Sequence, residues 1–341
     1  MQTSILIIYT GGTIGMVQRP EDGSLSPVNF DELLKEVPML NKFGFLIDSV
    51  SFDPVLDSSN ITPEIWYDLA GVIEKNYQKY DGFVVLHGTD TMAYSASALS
   101  FMFENLDKPV VFTGSQLPIG TLRTDGKENL ITAVEIAAAK INGKAIVPEV
   151  CIYFDSKLYR GNRTSKVDSQ QFRAFDSKNY PPLARAGVEI SYNTEYVNYT
   201  TNKGVFSVNY KLNTNVVLLK IFPGIRESVL ESIIGIEGLQ GIVLESYGSG
   251  NVPQLEWFTR LIKKAVDKGI VVLNISQCAG GKVEQGRYET SVDMKKIGVI
   301  SGFDMTSEAA ITKMMFLLGH ELQLSEVGRY LSQNLKGEIT A

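Results

Sequence analysis

The sequence predicts a two-domain α/β protein whose strands are covered on both faces, and three observations lead there. Short, unbroken apolar runs alternate with amphipathic helical patterns. The alternation lapses once, over a polar stretch around residues 190–212. The length, 341 residues, is that of two domains at about 150 residues each. Hydrophobic residues at 44% and charged residues at 21% describe a folded chain with a sizeable core.

Residues 4–9, 83–87, 110–113 and 150–154 read as strands, because β-branched and aromatic residues run together between Gly, Pro or Asp. Their continuous apolar character suits a parallel sheet with helices on both sides. Over 91–106 the residues Met92, Ala96, Leu99, Phe103 and Leu106 recur at spacings of three and four, an amphipathic helix. A second helix spans 127–139, with Leu130, Val134 and Ala137 aligned. The βαβ rhythm resumes with strands at 216–222, 241–244 and 269–275. Helices follow at 226–236, 254–268, 306–319 and 324–334. These patterns give an N-terminal domain over 1–190, a linker over 191–212 rich in Asn, Thr and Tyr, and a C-terminal domain over 213–341.

Composition excludes several function classes. Lys plus Arg number 32 against 38 Asp plus Glu, a net charge of −6, and the basic pairs are isolated, so no nucleic-acid or anionic-lipid footprint is present. No apolar run approaches the roughly 18 residues of a membrane helix. Two cysteines and two histidines leave no disulfide framework and argue against a dedicated zinc site. The first residues enter a β-branched run without a charged n-region, so a cytoplasmic location is expected.

Four segments at strand ends carry candidate chemistry. Thr10-Gly11-Gly12-Thr13-Ile14-Gly15 follows the first strand, and its adjacent glycines let backbone approach a ligand. It lacks the spacing of a dinucleotide fingerprint and the lysine of a P-loop. His87-Gly88-Thr89-Asp90-Thr91 also follows a strand and opens a helix. Thr13 and Thr89 thus occupy equivalent ends of one sheet, where open α/β sheets bind ligands. A threonine hydroxyl needs a neighbouring base to become a nucleophile. His87 belongs to its strand and reads as a core histidine. The run from Tyr159 to Lys166 brings three cations, and Lys166, buried against Thr89, would lose proton affinity through desolvation and neighbouring cations and act as the base. Asp57, Ser58 and Ser59 offer small polar groups for a charged ligand, though alone they are ordinary turn residues. Two Thr, one Lys, two Asp and two Ser, without metal ligands or a phosphate cradle, suit nucleophilic acyl transfer on a small zwitterion.

These motifs resemble the bacterial type I (cytoplasmic) L-asparaginases. The resemblance rests on Thr10 to Gly15, Asp81 to Tyr94, Thr113-Gly114-Ser115-Gln116 and Arg160 to Lys166. It continues through Ser246 to Asn251, Gln277-Cys278 and Ser332 to Glu338, so it covers essentially the whole chain. It implies a two-domain asparaginase-like fold, a larger N-terminal parallel-sheet domain with a left-handed crossover and a smaller C-terminal α/β domain. The implied activity is hydrolysis of L-asparagine to L-aspartate and ammonia without a cofactor. Thr13 would form the acyl-enzyme, and Thr89, Asp90 and Lys166 would move protons and activate water. Asp90 would also hold the substrate ammonium, Ser58 and Ser59 its α-carboxylate, with Asp57 and Ser115 in the same binding set. Asn251 would reach a neighbouring subunit's site in a homodimer or a homotetramer built as a dimer of dimers.

The sequence departs from the family pattern twice. The loop over 16–27 lacks the tyrosine usually found near the nucleophile, leaving Ser24 and Ser26 as its hydroxyls and Gly23 as a hinge. Regulated type I members carry an arginine before Ser-Tyr-Gly at an effector site, and here Glu245 takes that place. Three alternatives stay open. A dual glutaminase-asparaginase differs by one methylene of substrate, worth only about 1–3 kcal/mol. The asparaginase-like subunit of a tRNA-dependent amidotransferase is expected to carry a domain before the first motif and a basic surface. A non-catalytic amino-acid sensor would tolerate loss of Thr13, Thr89 or Lys166, and all three are present.

Overall fold

The structure, a computed structural model, describes residues 2–18, 25–27, 33, 35–199, 204–286 and 289–340. Two compact units divide it: Met1–Ser177 with Pro181–Asn209, and Lys178–Tyr180 with Tyr210–Ala341. The stretch over 191–212, expected as a linker, falls largely in the first unit. Ile190–Tyr192 is an edge strand there, and Ser207–Val208 pairs with Phe103–Glu104. Polar edge strands bury little, which is why their sequence looks like a linker.

In the first unit, β1 (Ser4–Gly11), β2 (Leu46–Leu56), β3 (Gly82–Leu86), β4 (Val110–Thr113) and β5 (Val150–Phe154) are mutually parallel neighbours in one sheet. The sheet continues antiparallel through β6 (Lys157–Arg160), β7 (Ala184–Ala186) and β8 (Ile190–Tyr192), in the order β8-β7-β6-β5-β4-β3-β1-β2. Every residue of β3, β4 and β5 is buried, as the unbroken apolar runs require. Helix α1 (Pro63–Asn76) places Pro at its first position and buries Trp66, Leu69, Ala70 and Ile73 at helical spacing. Helices α2 (Met92–Met102) and α3 (Gly126–Ala138) cover the sheet. After β1 the chain moves to β2 on one side, then returns to β3 on the other. That reversal opens a crevice outside the carboxyl ends of β1 and β3.

The second unit is a parallel sheet, β9 (Val216–Lys220), β10 (Gly241–Ser246), β11 (Val271–Ser276) and β12 (Ile300–Ser301), in sequential order. Around it run α4 (Glu227–Ile234), α5 (Glu256–Asp267), α6 (Glu289–Lys296), α7 (Ser307–Leu318) and α8 (Leu324–Leu331). Its core packs Leu230 and Ile234 with Phe258, Leu261 and Ile262 over Ile242, Leu244 and Val272. The C-terminal turn is fixed by a fully buried ion pair, Lys313 Nζ to Glu338 Oε1 at 2.5 Å. The same ammonium donates to the Leu331 and Gln333 carbonyls, and the carboxylate accepts from the Leu335 and Lys336 amides. Among the described residues no helix is long and apolar enough to cross a membrane.

Candidate active site

The chain reversal brings two glycine-bearing connections into contact. Gly12, at φ 90°, has no room for a side chain: a Cβ there would lie 2.5 Å from both Cα and N of Gly88. A Cβ on Gly88 would in turn fall 2.5 Å from Ser58 Oγ. Backbone therefore meets backbone at the carboxyl ends of β1 and β3, and the next residue on each connection is a threonine, Thr13 or Thr89. Hydrogen bonds tie the connections together: Gly12 N to Leu56 O (3.1 Å), Thr10 Oγ1 to Leu86 O (2.9 Å) and Thr91 Oγ1 to Ser58 O (2.7 Å). Thr13 opens a single 3-10 turn, Thr13–Gly15, and is half-buried.

Lys166 arrives from the far side of the sheet. Its backbone lies in the short pairing of Ser165–Lys166 with Phe175–Asp176. The preceding turn is held by Thr164 Oγ1 donating to Arg160 O and by the buried Arg160–Glu149 pair, whose Nη2 to Oε1 distance is 3.0 Å. From there Lys166 Nζ donates to Thr89 Oγ1 at 2.8 Å and to Asp90 Oδ1 at 2.7 Å. The Lys166 side chain is 18% exposed and that of Asp90 is 64% exposed. Of the neighbouring cations expected beside Lys166, Arg160 is engaged by Glu149 instead, and the Lys166 amine meets the Asp90 carboxylate.

The remaining expected residues are placed as follows. Asp57 Oδ1 accepts from the Ser59 amide (2.9 Å) and hydroxyl (3.0 Å), which shapes the short turn Ser58–Asn60. Ser58 is buried against Gly88, while Asp57 and Ser59 are exposed. Ser115 is buried, and its hydroxyl donates to Leu117 O at 2.5 Å, so its proton is already engaged. Asn251 belongs to the second unit, in a tight turn where its amide donates to Tyr247 O at 2.8 Å. Gly23 and Ser24 lie outside the described residues, and so does the Ser26 side chain.

His87 is a core residue, as expected. Its Nδ1 is 2.7 Å from the Gly88 carbonyl, an acceptor, so Nδ1 carries the proton. Nε2 then accepts from Ser95 Oγ at 2.9 Å, and Ser95 Oγ accepts from Trp66 Nε1 at 2.9 Å. Burial pushes the His87 pKa down to about 4, which keeps the ring neutral. One residue that sequence reasoning quoted without a role now has a position. Thr89 Oγ1 faces Gln116 Oε1 at 3.4 Å, and Gln116 Nε2 donates to Gln171 O at 3.1 Å. Nothing in its local pattern signals this, because the partner is 27 residues away. Among the described residues no group of three or more His, Cys, Asp or Glu converges as a metal site would require.

Two family models match this chain: "Asparaginase, N-terminal" over residues 4–198 and "Glutaminase/Asparaginase C-terminal domain" over 215–331. The chain belongs to the asparaginase family. It is 43% identical to L-asparaginase 1 of Escherichia coli K12, over 99% of this chain and 98% of that one. The fold is shared with L-asparaginase I from Vibrio cholerae, at a TM-score of 0.89 and 40% identity, covering 100% of both chains. It is shared too with the thermostable L-asparaginase from Thermococcus kodakarensis, at a TM-score of 0.90 and 34% identity, covering 99% of this chain and 100% of that one.

Within this asparaginase-family chain Glu245 is the penultimate residue of β10, with its side chain 9% exposed. Its carboxylate lies 3.4 Å from Lys220 Nζ and accepts from the Ser307 hydroxyl at the start of α7. Gln277 Nε2 donates to the Ile221 and Glu245 carbonyls, closing the ends of β9 and β10. Cys151 and Cys278 are free thiols, the first buried and the second exposed.

Proposed function

We propose that this chain is an L-asparaginase that hydrolyses L-asparagine to L-aspartate and ammonia through an acyl-enzyme on Thr13. The observation that carries the reading is the Lys166–Thr89–Asp90 cluster, hydrogen-bonded at 2.7–2.8 Å beside the backbone junction from which Thr13 emerges. The Thr13 hydroxyl oxygen attacks the side-chain carboxamide carbon as its proton passes by way of Thr89 to the carboxamide nitrogen. Collapse of the tetrahedral adduct breaks the C–N bond, and the nitrogen, carrying that proton, leaves as ammonia. Water then cleaves the ester and regenerates Thr13. Lys166 holds the Thr89 oxygen and the Asp90 carboxylate in fixed register, so Thr89 can pass a proton without rearrangement. Asp90, largely exposed, is free to accept a substrate ammonium. Ser58 and Ser59 hold the α-carboxylate, with Asp57, Ser115 and a neighbouring subunit's Asn251 completing the binding set. No step needs a cofactor.

Assembly as a homodimer or homotetramer, and action in the cytoplasm, belong to the same proposal. An exposed free thiol at Cys278 is in keeping with a reducing compartment. The experiment is ammonia release from L-asparagine by purified protein beside Thr13→Ala, with L-glutamine as a second substrate and light scattering for mass. Release lost in Thr13→Ala supports the reading, and equal rates on both amides would make the enzyme a dual glutaminase-asparaginase. Release that persists in Thr13→Ala would remove Thr13 from the mechanism.

A further inference from the structure

We infer that Tyr9 is a positioning residue for Thr13, acting through a fitted contact with Gly15 that sets where the Thr13 turn rests. The inference rests on the proposed role of Thr13 as nucleophile. Tyr9 is fully buried, and its backbone in β1 is paired in register with Ser51 on one side and Leu86 on the other, so its ring is enclosed and its Cα is held by the sheet. Its hydroxyl donates to the Gly15 carbonyl at 3.1 Å. A Cβ on Gly15 would lie 1.9 Å from that hydroxyl oxygen, 2.4 Å from Cζ and 2.8 Å from Cε2. Backbone at residue 15 thus rests directly on the end of a rigid aromatic ring.

The turn has other fastenings, and they differ in kind. Gly15 N donates to Gly12 O (3.2 Å), Met16 N to Thr13 O, and Ile119 N to Ile14 O (3.1 Å). Those bonds join backbone to backbone and close the turn on itself or to its neighbour. Tyr9 adds the distance between the turn and the strand that carries it. Burial also pushes the phenol pKa up to about 12, so the group stays a donor at ordinary pH. A shift of about 1 Å in a nucleophile can cost on the order of 10²-fold in rate.

The test compares kcat and KM for L-asparagine in five variants, with the thermal midpoint as a control for folding. Gly15→Ala forces a methyl group into the Tyr9 hydroxyl and is expected to lower kcat about 10²-fold with little change in KM. Tyr9→Phe keeps the ring, removes the donor and is expected to lower kcat about 10-fold at unchanged KM. Combining Gly15→Ala with Tyr9→Ala makes room for the methyl and is expected to recover kcat about 10-fold above Gly15→Ala alone. Combining Gly15→Ala with Tyr9→Phe leaves the ring carbons in the way, so no recovery is expected. The fifth variant, Thr13→Ala, separates the two ideas: activity surviving there overturns the proposed nucleophile. If Thr13→Ala is inactive, two results overturn the positioning role of Tyr9. One is wild-type kcat in both Gly15→Ala and Tyr9→Phe, and the other is a double variant with Tyr9→Ala that stays no better than Gly15→Ala. Should Tyr9→Ala fold poorly, the kcat against KM split in Tyr9→Phe decides alone.

Discussion

Lys166 Nζ sits 2.8 Å from Thr89 Oγ1, although 77 residues of sequence separate the two. The contact joins a connection on the parallel side of the sheet to one beyond its first antiparallel strand, β6. A flexible four-carbon stem reaches across that distance, and the Asp90 carboxylate fixes its end.

Removing either end of that contact should slow catalysis without unfolding the protein. Thr89→Val keeps shape and deletes one hydroxyl, and Lys166→Met keeps the stem and deletes the charge. Positioned proton transfer usually contributes about 10²–10⁴-fold, so turnover should fall by that order in each. Steady-state kinetics with a thermal midpoint close to wild type checks this, and near-normal turnover in either variant removes that group from the mechanism.

The His87 pKa, lowered by burial to about 4, makes stability depend on pH in a defined window. In the unfolded chain the ring binds its proton near pH 6.5. Between those values the unfolded state holds more protons, so stability is fully present above about pH 6.5 and declines as pH falls toward 4. The contribution at stake is about 3 kcal/mol. Denaturant midpoints across pH 4–7 for wild type and His87→Gln should show a shallower slope in the variant, and parallel slopes would contradict the assignment.

Breaking the Lys313–Glu338 pair from one side should destabilise strongly. Both groups are fully buried, and burial drives the lysine pKa down against the pull of its carboxylate partner. Glu338→Gln leaves a buried ammonium without its counter-ion, at a cost of roughly 3–5 kcal/mol. Replacing both with apolar residues should cost less than either single change. Denaturant unfolding of the two single variants and the double variant measures the ordering directly.

Activation by asparagine at a second site should be missing. A ligand carboxylate beside Glu245 at about 4 Å and an effective dielectric near 20 meets roughly 4 kcal/mol of repulsion. Lys220 offsets part of this, but it is 64% exposed, and exposed pairs are worth only about 0–1 kcal/mol. Typical coupling energies of about 1–3 kcal/mol do not overcome the remainder. Initial rate against asparagine concentration, at constant ionic strength, should be hyperbolic. A sigmoidal curve that disappears when residues around Glu245 are changed would show the opposite.

Elements with strong internal pattern were legible in sequence, and those whose partners lie elsewhere were not. Val110–Thr113 and Val150–Phe154 appear with the bounds expected, because both faces of these strands are buried and the apolar run ends where burial ends. Leu46–Leu56 gave no such run: it is an edge strand, mixed in polarity, with Asp48, Asp53 and Pro54 along it. The helix expected over 91–106 stops at Met102, where Phe103 and Glu104 pair with Ser207–Val208 instead. The glycine-threonine motifs were legible for a physical reason, since only glycine allows the approach seen at Gly12 and Gly88. Gln116 and Tyr9 gained roles only from geometry, as neither has a distinctive sequence neighbourhood.

The junction of Gly12 and Gly88 also bears on engineering this scaffold for other amides. A Cβ on Gly114 would fall 2.4 Å from the His87 carbonyl oxygen, so the peptide there is enclosed by glycine on two sides. Positions 12, 88 and 114 admit a single letter, and a library that randomises them returns mostly inactive clones. Diversity belongs instead on the side chains around the junction, at Asp57, Ser59 and Gln116, whose replacement leaves in place the backbone that holds both threonines.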